Sequence, residues 1–180
     1  MDLSDVFPSP EYALYITREV EIELEAIPDV DKDGVEKAGL KNYIKNSLEK
    51  SHVVTTSVFG FASVEPDGSL SKVQVFGGFD QGAFQSQEDR RWYQSDEVRG
   101  LLEGKSKRTS GLTRNQADAS LAVRSFGSII VTNESRATNG PLRLAANQGG
   151  AVVYLHEAEQ SGLSLPAYIA AIVGEGQIGS

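Results

Sequence analysis

Two short apolar runs in the C-terminal half, Ser128 to Thr132 (SIIVT) and Ala151 to Leu155 (AVVYL), constrain the fold more than any other feature. Both are β-branched and neither alternates with polar residues, as expected of strands covered on both faces. Between them, Asn133 to Gly140 reads as a loop, Pro141 suits the first position of a helix, and Gly149-Gly150 suits its end. Strand, helix and strand within about 28 residues make a βαβ crossover, so the two strands are expected to run parallel.

The flanking segments read as further α/β structure. Thr113-Arg114-Asn115-Gln116 has capping-box spacing, which predicts a helix from there to Phe126 with Gly127 just past its end. Tyr12 to Thr17 (YALYIT) reads as a short strand after the breakers Pro8 and Pro10. A helical period follows from Arg18 to Ile27, and a second helix is expected from Gly34 to about Glu49, with Leu40, Tyr43, Ile44, Ser47 and Leu48 as its stripe. Val53 to Val64 and Leu70 to Phe76 are β-rich runs around an Asp67-Gly68 turn, so a β-hairpin is expected at 53–79. Its Phe59, Phe61, Phe76 and Phe79 are expected to pack in a core, the alternative being a contact surface. Gln85 to Glu103 reads as partly helical, 104–111 as a polar, basic loop, and a last helix is expected from near Ser164 and Pro166 to Gly174. The fold expected is one α/β domain over residues 1–180, with three layers, a mainly parallel sheet and the hairpin as an insertion.

Composition narrows the chemistry. The 180 residues include no cysteine, which excludes disulfides, thiolate metal sites and cysteine nucleophiles. There is no apolar run of membrane-spanning length and no basic-then-apolar start of an export signal, so a cytoplasmic protein with no membrane partner is expected. A formal net charge of -8 argues against broad nucleic-acid coating. A local basic strip nevertheless exists at Lys105, Lys107, Arg108 and Arg114, to be read either as a phosphate contact or as a solvated loop. The two histidines, His52 before a strand and His156 at the end of one, belong to no hydrolase motif, and no glycine-rich phosphate loop is present.

Three acids stand at informative positions. Glu23 shares a helical face with Val20, Leu24 and Ile27, where a carboxylate is costly unless it is paired or reaches water at the edge. Asp118 lies near the start of its helix, on the face of Leu121, Ala122 and Ser125, where a plain helix-dipole role is the alternative. Glu134 lies just past the SIIVT strand, where ligand-binding groups of parallel sheets gather. Carboxylates that converge repel one another and are stabilised by a hard divalent cation, which can activate water against a phosphodiester.

At these residues the chain resembles the PIN-domain family of nucleases, over roughly Tyr12 to Ile27 and Thr113 to Leu155. Val20-Glu21-Ile22-Glu23-Leu24 is similar to the family's segment in which a valine precedes Glu-Leu by three residues. Gln116-Ala117-Asp118-Ala119-Ser120-Leu121-Ala122 looks like its Asp-bearing helix. Ile130-Val131-Thr132-Asn133-Glu134 is similar to its strand ending in Thr-Asn-Asp, with glutamate for aspartate. The resemblance implies metal-dependent cleavage of single-stranded RNA. Glu23, Asp118 and Glu134 would hold Mg²⁺ or Mn²⁺, and Thr132 and Asn133 would shape the strand end. It is compatible with a protein inhibitor or a homo-oligomer as a further partner. Met1 leaves no room for the apolar first strand with which the family opens, so Asp2 or Asp5 would have to replace its first aspartate. That departure supports the alternative of a catalytically inactive PIN-like binding or assembly module.

Overall fold

The computed structural model describes residues 3–8, 11–30, 33–59, 82–83, 86–102 and 110–176. The chain divides into two compact units that alternate along the sequence, residues 1–86 with 105–117 and residues 87–104 with 118–180. Among the described residues no helix is long and apolar enough to cross a membrane.

The first unit begins with one helical turn, α1 (Leu3–Val6), after which the buried Phe7 meets Tyr12 edge to face at 5.3 Å. β1 (Tyr15–Thr17) passes without a loop into α2 (Arg18–Glu25). The junction is made by the buried Thr17, whose hydroxyl accepts from the Val20 N–H and caps the helix. The end of α2 is satisfied from α3 (Ala38–Lys50): Lys41 Nζ donates to the carbonyls of Glu25 and Ile27, at 2.8 and 3.2 Å. β2 (Val54–Thr56) then lies parallel to β1, with Tyr15 opposite Val54 and Thr17 opposite Thr56, the two helices serving as the crossover. β3 (Val58–Phe59) and β4 (Gly82–Ala83) form a second parallel pair.

Several expectations change here. The second helix starts at Ala38 rather than Gly34, the residues just before it being engaged with Asp29 and Val30 instead. Val30 bridges Glu36, the Asp29 carbonyl accepts from the N–H groups of Lys37 and Ala38, and Gly34 takes the left-handed φ of +78°. The stripe on α3 is not a buried one, since Leu40 and Tyr43 are exposed and no residue of the helix is buried. Of the hairpin, the Asp67-Gly68 turn and the Leu70 to Phe76 run lie outside the described residues, as do Phe61, Phe76 and Phe79, while Phe59 is described in its backbone only. Asp2, Lys105, Lys107 and Arg108 also lie outside them.

In the second unit, the partly helical stretch expected from Gln85 to Glu103 holds two helices, α4 (Gln87–Gln94) and α5 (Asp96–Leu102). Ser95 divides them: its hydroxyl donates to the Trp92 carbonyl at 2.8 Å and accepts from the Val98 N–H at 3.4 Å, competing with the backbone ladder and capping α5. Trp92 is buried, with Phe126 edge-on to its ring at 6.3 Å. α6 (Gln116–Arg124) begins later than the capping-box spacing implies: Asn115 takes a left-handed φ of 72°, so Thr113 is not the N-cap, although Gln116 Oε1 does accept from the Thr113 N–H at 3.0 Å. It ends two residues short of Phe126, because Ser125 turns its hydroxyl back onto the Ala122 carbonyl at 2.6 Å. Gly127 is not among the glycines with positive φ.

β5 (Ile130–Thr132), α7 (Pro141–Asn147) and β6 (Val152–Tyr154) form the expected βαβ unit, with β5 and β6 parallel and Thr132 opposite Tyr154. All of β6 is buried, whereas β5 buries Ile130 and exposes Val131, so it is covered on one face rather than two. α8 (Leu155–Ser161) was not anticipated; it leaves β6 with no intervening loop, so His156 lies in a helix rather than at a strand end. Gly162, at φ +72°, caps it, and α9 (Leu165–Gly176) closes the described chain. Among the described residues the strands pair as three two-stranded parallel ladders, an α/β architecture.

Candidate functional site

The end of the β5–β6 ladder is followed directly by Glu134, Arg136 and Glu157. A tight junction lies at the ladder's start. Gly150, just before β6, passes so close to Ser125 that a Cβ at this position would fall 2.1 Å from Ser125 Oγ and 3.0 Å from the Ala145 carbonyl. The Ala151 N–H donates to the Ser125 carbonyl at 2.9 Å, and the Ile130 N–H to the Ala151 carbonyl at 2.9 Å. Through these contacts the residue that follows α6 is fixed against the start of β6, which in turn pairs with the start of β5.

Asp118 occupies the first turn of α6 and is half-buried. Glu134 follows β5 in a turn closed by its own N–H, which donates to Thr132 Oγ1 at 3.1 Å. Its carboxyl is held above the ordinary carboxylate range, first by burial and then by the negative charge of Asp118. The charge of Asp118, sixteen residues earlier in the chain, therefore acts on the Glu134 carboxyl. Asn133 is exposed beside them.

Beyond the acids stands an arginine assembly that sequence reasoning did not single out. Arg136 Nε and Nη2 donate to the two carboxylate oxygens of Glu157, at 2.6 and 2.9 Å. The guanidinium also lies over the Tyr154 ring, 4.7 Å from its centroid. Arg136 holds the Glu157 carboxyl below its ordinary range, chiefly through the hydrogen bonds. The Tyr154 phenol is raised by burial, eased by Arg136, and raised further by Glu157 and Glu134, so it senses both the acids and the arginine. The signal for this group was in the register: Arg136 and Glu157 follow the paired strand ends Thr132 and Tyr154 by four and three residues. The loop itself is tied down, since Arg143 Nη1 donates to the Ala137 carbonyl at 3.2 Å and the Thr138 N–H to the Ser135 carbonyl at 2.8 Å.

The remaining sequence candidates lie elsewhere. Glu23 is in α2 of the first unit, half-buried like Val20, Leu24 and Ile27, on a helix with no buried residue. Arg114 is exposed in the turn before α6. His156 faces Glu159 at 3.8 Å on an exposed surface, and His52 is exposed at a left-handed φ of 52°. Among the described residues no group of three or more histidine, cysteine, aspartate and glutamate side chains is arranged to hold a metal ion.

The Asp118–Glu134 pair still offers what a hard cation takes. Mg²⁺ keeps several waters and is commonly bound through one or two carboxylates together with substrate phosphate oxygens. Two oxygen-donor side chains that repel each other fit that requirement. Comparison with known proteins returned no matching family model, no similar curated protein and no similar solved structure.

Proposed function

We propose that the chain is a metal-dependent ribonuclease that cleaves single-stranded RNA, with a PIN-like arrangement of three layers around its parallel strands. What supports this reading is the position of Glu134 just past the end of β5 in a parallel ladder, with its carboxyl raised first by burial and then by the charge of Asp118. Such a pair relaxes when a divalent cation is added, and a bound Mg²⁺ or Mn²⁺ supplies a nucleophilic water at neutral pH and charge stabilisation at the phosphorus. Asp118 and Glu134 would hold the metal, Thr132 orients Glu134 through its hydroxyl, and Asn133 presents an exposed amide at the same turn. The roles of Glu23 as a further acid, and of Lys105, Lys107, Arg108 and Arg114 as phosphate contacts, rest on the sequence resemblance and on charge.

Cleavage of a labelled single-stranded RNA with Mn²⁺ tests the reading. Wild-type protein is expected to cleave, Glu134→Ala to abolish cleavage while keeping the fold, and Glu23→Gln to report separately on the third acid. Unchanged cleavage by Glu134→Ala contradicts the assignment. RNA or protein binding without cleavage by the wild type would leave the inactive binding or assembly module as the better account.

A further inference from the structure

Arg136 is anchored more firmly than a surface arginine usually is, yet its side chain remains 52% exposed. The fork to Glu157 takes an N–H from Nε and one from Nη2, so the N–H groups of Nη1 lie along the other edge of the guanidinium. Stacking over Tyr154 fixes the plane of the group. An arginine oriented in advance loses little freedom when it binds a planar or tetrahedral oxyanion, and its fork geometry suits phosphate. It also sits two residues from Glu134, in the same tied loop and at the same strand ends.

We propose that Arg136, clamped by Glu157 and stacked on Tyr154, is the residue that receives a substrate phosphate beside the Asp118–Glu134 pair. This rests on the ribonuclease reading and names its phosphate-binding group, which is distinct from the basic strip at Lys105, Lys107, Arg108 and Arg114. Two acids alone present negative charge to a polyanion. A guanidinium at the same strand ends, its charge shared with Glu157, offers a phosphate oxygen the N–H groups of Nη1. Glu157 is then a positioning residue, since it acts through Arg136.

The alternative is a staple that merely ties the loop to α8, and salt dependence separates the two. Binding of a fluorescein-labelled single-stranded RNA is followed by anisotropy over a KCl series, with Ca²⁺ in place of Mg²⁺ to suppress cleavage. Loss of one phosphate contact to a single strand lowers the slope of log Kd against log salt by about 0.7. Arg136→Gln is expected to show that loss and Arg136→Lys to keep the wild-type slope. If Arg136→Gln melts below the assay temperature, Arg136→Gln/Glu157→Gln removes the stranded carboxylate and is read in its place. Wild-type binding with an unchanged slope in the glutamine variants overturns the Arg136 assignment and leaves the ribonuclease reading standing. Absence of RNA binding by the wild type overturns both.

Discussion

Substitution of Gly150 by alanine tests the junction between the end of α6, the end of α7 and the start of β6. The new methyl would lie 2.1 Å from Ser125 Oγ, 3.1 Å from Ser125 Cβ and 3.0 Å from the Ala145 carbonyl. None of these neighbours moves cheaply. Ser125 is buried with its hydroxyl committed to Ala122, and the Ala145 carbonyl accepts from the Gly150 N–H at 2.8 Å. Overpacking of this kind costs about 1–3 kcal/mol. Rotating Ser125 out of the way forfeits a hydrogen bond worth about 1 kcal/mol more. With a shift of roughly 2–4 °C per kcal/mol in a chain of this size, the melting temperature is expected to fall by on the order of 10 °C. Thermal melts followed by circular dichroism read this directly. Ser125→Ala/Gly150→Ala removes the 2.1 Å contact but leaves the 3.0 and 3.1 Å ones, so the pair is expected to be non-additive with partial recovery. A Gly150→Ala protein that melts with the wild type would refute the close approach of Gly150 to Ser125 and the Ala145 carbonyl.

Three further outcomes are expected. Because the Glu134 carboxyl is raised in the folded state, its ionisation opposes folding above its unfolded value of 4.5, and that penalty is absent at lower pH. Metal-free Glu134→Gln should therefore melt higher than wild type at neutral pH, with the gap closing as pH falls below 4.5; a lower melting temperature at pH 7 would contradict the repulsion. Glu157 is shifted the other way, so the stability from its pairing with Arg136 is present above its unfolded value and lost as pH falls through its folded one. Melts of wild type and Glu157→Gln should converge in acid, and a gap that persists there would show that the pair does not titrate as described. Gln116→Ala removes the acceptor for the Thr113 N–H and is expected to cost about 1 kcal/mol in urea unfolding, with an undiminished midpoint counting against that hydrogen bond.

The parts of the fold that were legible in the sequence are those fixed by local chemistry. Pro141 and Gly149-Gly150 bound α7 between two apolar runs, and Thr113 with Gln116 signals the approach of α6. Where one hydroxyl decides, the pattern is less telling: Ser95 splits a stretch whose composition is helical throughout, and Ser125 shortens α6 before its apolar period ends. α8 escaped notice because it follows β6 directly, with no Gly, Pro or polar cluster at the junction to mark a change of period, although Gly162 marks its end. At the site, Glu134 stood out by its place after a strand. The influence of Asp118 on Glu134 and the Arg136–Glu157 fork depend on strand register and helix packing between residues far apart in sequence, which periodicity does not encode.

Calorimetric titration of the protein with Mn²⁺ tests the central claim most directly, since it needs neither substrate nor turnover. Saturable uptake by the wild type, lost in both Asp118→Asn and Glu134→Gln, is the expected result. No uptake at millimolar Mn²⁺, or uptake that both variants retain, would contradict a metal held by these two carboxylates.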